Sequence, residues 1–458
     1  MRRLIEHYRF PESVLNLEYD CVPSPTEGFF YFGDGNICYG SCSAVAVSKS
    51  VRNGLPDASA DVRFDGPRLR LPFDADLLID NLLMERYPAD SYHAWDKPLR
   101  SVYYSLRPLL PVGIRKYMQR AYLKGWEKIQ FPHWPVDSSV EQIMEKCVAL
   151  AMQAQNLDRV PFIWFWPNGS DSCAIVTHDV EAEAGRDFCS ALMDIDDSFG
   201  IKAAFQVIPE DRYSVSEEFL SDIRDRGFEI NIHDLNHDGN LFLNEEQFMR
   251  RVIAVNAYGK KFKAVGFRAG IMYRNQRWCH ALDFQYDMSV PNAAHLEPQR
   301  GGCCSIFPYF IGKLLELPLT TTQDYALFHF LGDYSLKLWD YQIDTIRKRH
   351  GLISILVHPD YIKNERAQEI YRELLSHLAE IRDHENVWMA KPGEVNDWWR
   401  IRNALTLVRD GDDWRITGPG CERARIAYAR LENGGIRYEL APSKCEALET
   451  TVVRLPNS

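Results

Sequence analysis

Residues Ser172–Glu181 read SCAIVTHDVE, an apolar run that ends abruptly in a histidine and two carboxylates. Cys173–Thr177 shows no alternation of polar and apolar side chains, so a strand built from it is buried on both faces, as parallel strands are. Working outward, further short runs of this form stand at Ala203–Ile208, Glu229–His233, Ala264–Phe267, Tyr286–Val290, Leu314–Leu319 and Ile353–His358. Helical patterns separate most of them, at Gly185–Phe199, Ser216–Arg226, Glu245–Ala257, Gln276–Leu282 and Ser335–Arg349. Strand–helix alternation of this kind predicts an α/β fold, a distorted (β/α)7–8 barrel.

In such barrels the functional side chains gather at the C-terminal ends of the strands, and the polar residues fall there. The first strand runs into His178, Asp179 and Glu181, and the third into His233 and His237. The fourth ends at Arg268, the fifth reaches Asp287 and the last ends at His358. Two histidines and a carboxylate form a metal site with positions left for water and substrate. A second carboxylate can take a proton from water, a guanidinium can hold it ionised, and a further histidine can protonate a departing amine. These parts amount to metal-assisted amide hydrolysis. Each residue alone has a plainer reading, since strand-end histidines usually make structural hydrogen bonds and aspartates usually close turns. Their joint placement on one rim carries the expectation.

Two motifs overlap this region. Asp234-x-Asn236-x-Asp238-Gly239 with Glu245 satisfies a calcium-loop pattern, but the chain enters it from a strand, where an EF-hand needs a helix. H-D-L-N-H (His233–His237) looks like the zincin motif H-E-x-x-H, but it lacks the glutamate and leaves a strand.

The middle of the chain, about Ser172–Trp399, resembles the polysaccharide deacetylase family, also known as the NodB-homology or carbohydrate esterase 4 family. The resemblance rests on Thr177-His178-Asp179-Val180-Glu181, on His233-x-x-x-His237, on Arg268-Ala269-Gly270 and on Leu356-Val357-His358. It implies Asp179 as catalytic base, held by Arg268, with Asp287 as the acidic partner of that arginine. It implies Glu181, His233 and His237 as ligands of a divalent metal, with zinc as the expected ion. His358 would be the general acid, and Leu356 would line the acetyl pocket. Tyr273 is expected to share substrate binding with Leu356. Glu181 stands where the family commonly has aspartate, and the usual proline after the arginine is missing. The implied activity is removal of N-acetyl groups from a carbohydrate, polymeric or lipid- or nucleotide-linked. The alternative is a non-catalytic glycan- or calcium-binding protein on the same scaffold.

The rest of the 458 residues divides into an N-terminal α+β extension (1–160) and a small C-terminal β module (400–458) around the expected barrel (161–399). A net charge of −11 argues against a nucleic-acid partner. Within that acidic chain, Arg100–Lys128 carries Arg107, Arg115, Lys116, Arg120 and Lys124 against only Glu127. That segment is a candidate for peripheral membrane contact, although a solvated helix face explains it as well. No signal-peptide pattern or membrane span is read, and the 11 scattered cysteines suit a reducing compartment, so a cytoplasmic location is expected. Oligomeric state is left open.

Overall fold

Parallel pairing organises the centre of the molecule. The computed structural model describes residues 2–11, 14–15, 17–19, 26–33, 35–52, 54–88, 123–441 and 445–446. Its largest sheet contains β1 Ser172–Val180, β2 Ala204–Val207, β3 Glu229–His233, β4 Gly266–Arg268, β5 Tyr286–Asp287, β6 Tyr309–Ile311, β7 Leu314–Glu316, β8 Leu352–Val357 and β9 Val387–Met389. Across the sheet the order is β6-β7-β5-β4-β3-β2-β1-β8, with β9 also pairing β1. Only the β6–β7 hairpin is antiparallel. Every residue of β1 is buried, as expected for a strand covered by helices on one side and barrel interior on the other.

The sheet curls without completing a ladder. Between β8 and the chain after β7, threonine hydroxyls make the joint. Thr320 Oγ1 donates to Leu352 O at 2.7 Å and accepts from Ser354 N at 2.9 Å, and Thr321 Oγ1 donates to Ser354 O at 2.7 Å. The fold is thus a distorted barrel with a side-chain seam.

Amphipathic helices at Glu183–Ser198, Glu217–Asp225, Glu245–Phe262 and Lys337–Arg347 lie where the sequence pattern puts them. The helix expected at Gln276–Leu282 is reduced to one turn, Cys279–Ala281. Asn275 Oδ1 accepts from Arg277 N at 3.2 Å, a local bond that competes with helix initiation in a stretch too short to offset its nucleation cost. Two further helices, Glu365–His384 and Pro392–Ala404, complete the outer layer.

The flanks are joined to each other as well as to the barrel. The strand Arg159–Ile163 runs across the expected boundary at 160/161 and pairs antiparallel with Ile426–Glu432, and the latter pairs with Gly435–Leu440. The helix Pro392–Ala404 likewise crosses the expected boundary at 399/400. Arg402 clamps this junction. Its Nε donates to Trp164 O at 2.9 Å, and its Nη2 donates to His7 O at 2.6 Å and Ile163 O at 2.7 Å. Most of the basic Arg100–Lys128 segment, residues 100–122, lies outside the described residues.

Cys38, Cys42, Cys147, Cys173, Cys189, Cys279, Cys303 and Cys304 are free and buried, acting as small apolar side chains. Cys421 is disulfide-bonded, which corrects the expectation that all the cysteines are thiols. Among the described residues no helix is long and apolar enough to cross a membrane.

Candidate active site

Strand alternation decides which polar residues of β1 can meet. Thr177 and Asp179 face the barrel interior, whereas His178 faces the helices. His178 Nε2 lies 2.9 Å from Asp196 Oδ2, and Asp196 Oδ1 accepts from Tyr371 OH at 2.6 Å. His178 is therefore a structural histidine.

Inside the rim, Arg268 Nη1 donates to Asp179 Oδ1 at 2.7 Å and to Thr177 Oγ1 at 2.9 Å, while its Nε donates to Met288 O at 3.0 Å. The other carboxylate oxygen, Asp179 Oδ2, is 3.6 Å from His233 Nε2. Glu181 Oε1 lies 2.9 Å from His237 Nε2, 3.9 Å from His233 Nε2 and 3.6 Å from His358 Nε2. On the far side of His358, Nδ1 is 2.7 Å from Asp324 Oδ1, and its backbone N–H donates to Asp324 Oδ2 at 2.8 Å. That double contact fixes the ring and leaves Nε2 facing the site.

The turn after β3 is what brings His237 back to His233. Asp234 and His237 both adopt left-handed backbone, with φ of 59° and 55°. Such strain persists where the surroundings over-determine it. Gly270 contributes the missing room: a Cβ there would lie 2.4 Å from Asp234 Oδ2 and 2.8 Å from His237 Cδ2.

The electrostatics follow from these neighbours. Burial, the largest influence on Asp179, pushes its carboxyl up, but the charges of Arg268, His233 and His358 outweigh it and hold the group below the usual carboxylate range. Burial likewise raises Glu181, and the charge of His237 leads the influences of the surrounding imidazoles that bring it well below that range. For His358 burial disfavours the cation, yet Asp324 and Glu181 hold its affinity for a proton well above the ordinary imidazole value.

Glu181, His233 and His237 can present one ligand atom each within 4.8 Å of one another. His233 Nε2 and both ring nitrogens of His237 are buried and make no hydrogen bond. The 2.9 Å approach of His237 to Glu181 thus lacks hydrogen-bond alignment, as it would if the donors aimed at a shared point rather than at each other. His233 Nδ1 lies 3.2 Å from Arg268 O, the kind of backbone contact that orients a metal-binding imidazole. The residues present fit a divalent cation.

Asp287 is placed elsewhere. It is in register with Phe267 on β4 and Glu316 on β7, on the sheet face opposite Arg268. It accepts from Ser289 Oγ, whose oxygen in turn accepts from Ala269 N at 2.8 Å. Burial raises the Asp287 carboxyl to about 6, against hydrogen bonds from Ser289 and Glu316 that pull it down. Among the described residues Arg268 makes its direct ion pair with Asp179, and Asp287 acts on it only as a more distant charge. Leu356 forms a small buried apolar cluster with Met272 and Leu319. Tyr273 packs into the main core just after the Gly270–Met272 turn. The calcium-loop reading is not supported. Asp238 is tied up by Arg251 through two bonds of 2.8 Å, and Asn236 Nδ2 donates to Asp211 at 3.2 Å.

The chain matches no protein-family model, and no curated protein matches it. Solved structures similar to it include a protein assigned as a polysaccharide deacetylase from Mycobacterium smegmatis, at 19% identity and a TM-score of 0.43, covering 55% of this chain and 98% of that one. Another, assigned as a polysaccharide deacetylase from Pseudomonas aeruginosa PAO1, has 12% identity and a TM-score of 0.40, covering 51% and 93%. The peptidoglycan deacetylase PdaC from Bacillus subtilis has 13% identity and a TM-score of 0.34, covering 52% and 95%.

Proposed function

We propose that this protein is a metal-dependent hydrolase that removes N-acetyl groups from a carbohydrate. The observation that carries the reading is the convergence of three parts on one rim: the Glu181–His233–His237 donor set, the Arg268-held Asp179, and the Asp324-held His358. A divalent cation held by Glu181, His233 and His237 would supply positive charge that polarises an acyl oxygen and acidifies water. Zinc is the proposed ion, since two imidazoles and a carboxylate suit it.

The chain's own residues supply the proton movements. Asp179, with Oδ1 occupied by Arg268, offers Oδ2 to take a proton from the attacking water. The water oxygen bonds to the acyl carbon, and the carbon–nitrogen bond breaks as His358 Nε2–H passes its proton to the amine. Acetic acid and a free amino sugar leave, Asp179 gives its proton to solvent and His358 regains one from solvent for the next turnover. Leu356, Met272 and Leu319 provide an apolar wall for the acetyl methyl.

Acetate release from N-acetylglucosamine oligosaccharides, measured with added zinc and after chelation, tests the reading. Activity that needs the metal and disappears in Asp179→Asn supports it. Metal-dependent binding of the sugar with no acetate released by the wild type would instead point to a non-catalytic glycan-binding protein.

A further inference from the structure

Asp179 stands on β1 and His233 on β3, and β2 lies between these two strands. Gln206 of β2 is in register with Asp179 on one side and with Asn231 on the other. Register partners in a parallel sheet point to the same face, so Gln206 enters the barrel interior beside Asp179. His233, two residues beyond Asn231, shares that face one layer nearer the rim. Neighbouring strands lie about 4.8 Å apart, so the 3.6 Å approach of Asp179 Oδ2 to His233 Nε2 is made across β2, over Gln206. Arg268 reaches the same carboxylate from β4, and its side chain therefore also passes over β3 and β2.

Gln206 is fully buried, and neither its Oε1 nor its Nε2 has a hydrogen-bond partner among the described residues. The polar groups around it are directed elsewhere. Asn231 Nδ2 donates to Glu229 Oε1 at 2.9 Å, and Asn231 Oδ1 accepts from Gly266 N at 2.8 Å and Tyr286 OH at 2.9 Å. Arg268 Nη1 directs its two hydrogens at Asp179 and Thr177. Arg268 Nη2, which also carries two hydrogens, meets only the Met288 sulfur, at 3.8 Å, among the described residues.

A buried amide with both ends unpaired is costly unless a partner reaches it. Leucine or methionine would fill the same interior position without that cost. The partner must both donate and accept, and it must fit inside a packed barrel. Water meets these conditions, since a buried water typically makes about three hydrogen bonds to polar groups left without protein partners. Gln206, Arg268 Nη2 and the Asp179 carboxylate supply donors and acceptors on one face of the sheet.

We propose that Gln206 is a positioning residue for Asp179, acting through an internal water that its amide holds beneath the Asp179–His233 contact. Arg268 fixes Oδ1 of the base from one side, and the water-linked amide restrains the carboxylate from below, so that Oδ2 stays aimed at the metal donors. The two restraints differ in kind. When Asp179 takes a proton it becomes neutral and its attraction to Arg268 weakens, whereas a hydrogen bond relayed from a neutral amide does not depend on that charge. The base thus keeps its orientation through the step in which its ion pair is weakest. The task assigned to the base rests on the deacetylase reading above, while the link between Gln206 and Asp179 is measurable apart from it.

The test uses the full chain loaded with zinc. A high-resolution crystal structure should show a water within hydrogen-bond distance of the Gln206 amide and of Asp179 or Arg268. Gln206→Met removes the amide at similar size and should lower kcat for acetate release about tenfold, the scale of one hydrogen bond. KM, and zinc affinity read by chelator competition, should stay within about twofold of the wild type, because the metal donors are untouched. Urea unfolding of the wild type, Gln206→Met, Asp179→Asn and the double variant reads the link without activity, with an expected coupling of about fivefold in the unfolding constant. Gln206→Leu, carried through the same measurements, separates loss of the amide from a packing fault peculiar to methionine. No water at the amide, a wild-type kcat in both variants, or stability effects that simply add would overturn the inference. A water and a coupling in a protein that releases no acetate would leave Gln206 positioning Asp179 and remove the deacetylase reading.

Discussion

Arg268→Met offers a direct test of how the site is held. The guanidinium is fully buried and joins Asp179, Thr177 and the Met288 carbonyl through bonds of 2.7, 2.9 and 3.0 Å. Methionine fills much of the same volume but leaves the Asp179 carboxylate buried without its cation. Breaking a buried pair from one side costs about 3–5 kcal/mol. At roughly 2–4 °C per kcal/mol for a domain of this size, the melting temperature should fall by on the order of 10 °C. The double variant Arg268→Met/Asp179→Asn replaces the stranded charge by a neutral amide, so it should recover a large part of the loss. Thermal or urea unfolding of the four proteins closes the cycle, with an expected coupling of about 2–3 kcal/mol. Strict additivity, or an Arg268→Met protein that melts like the wild type, would show that Asp179 does not depend on Arg268. Arg268→Lys should behave closer to methionine than to arginine, because a single ammonium cannot span the three acceptors.

Asp324→Ala should lower kcat for acetate release about 100-fold with a smaller change in KM, since it frees the His358 ring without touching the metal donors; equal kcat in variant and wild type would remove Asp324 from the machinery. Gly270→Ala should weaken zinc binding about 10–100-fold by pressing on Asp234 and His237, read as competition with a chromogenic chelator. Glu141, buried against Ser305 Oγ at 2.6 Å, has its carboxyl raised by burial from 4.5 to about 8. A carboxyl raised on folding stabilises the fold below its unfolded value and loses that contribution as pH rises through the folded one. Glu141→Gln should therefore gain stability relative to the wild type between pH 5 and pH 8, and a constant difference in melting temperature across that window would refute the assignment.

Much of the barrel was legible because its signal is local. Continuous apolar runs such as Cys173–Thr177 specify strands buried on both faces, and the polar residue that ends each run marks the rim. The same logic located Asp179, Glu181, His233, His237, Arg268 and His358, which the structure brings together. Asp287 shows the limit of that logic. Its place at a strand end is readable, but the face it occupies depends on register with Phe267, which no single strand reveals. Asp324 opens a short helical segment outside the strand pattern, and its two bonds to His358 expose its role. Gly270 looked like part of a motif with a missing proline, whereas the atoms it makes room for come from another strand's turn. The strand that crosses the expected 160/161 boundary, Arg159–Ile163, has its partner far away in sequence, which no local pattern reveals.

That pairing has a consequence for how the chain is made. Arg159–Ile163 leaves the ribosome well before Ile426–Glu432, the strand that covers its edge. At roughly 5–20 residues per second, the edge stays uncovered for tens of seconds while the whole barrel is synthesised. An apolar strand edge is a template for pairing with other chains. A fragment ended at the barrel's last helix would keep that edge permanently open, so the barrel portion should be harder to obtain in isolation than its size suggests. The C-terminal hairpin acts as a late-arriving cover, and biosynthesis of the barrel is finished only when it closes.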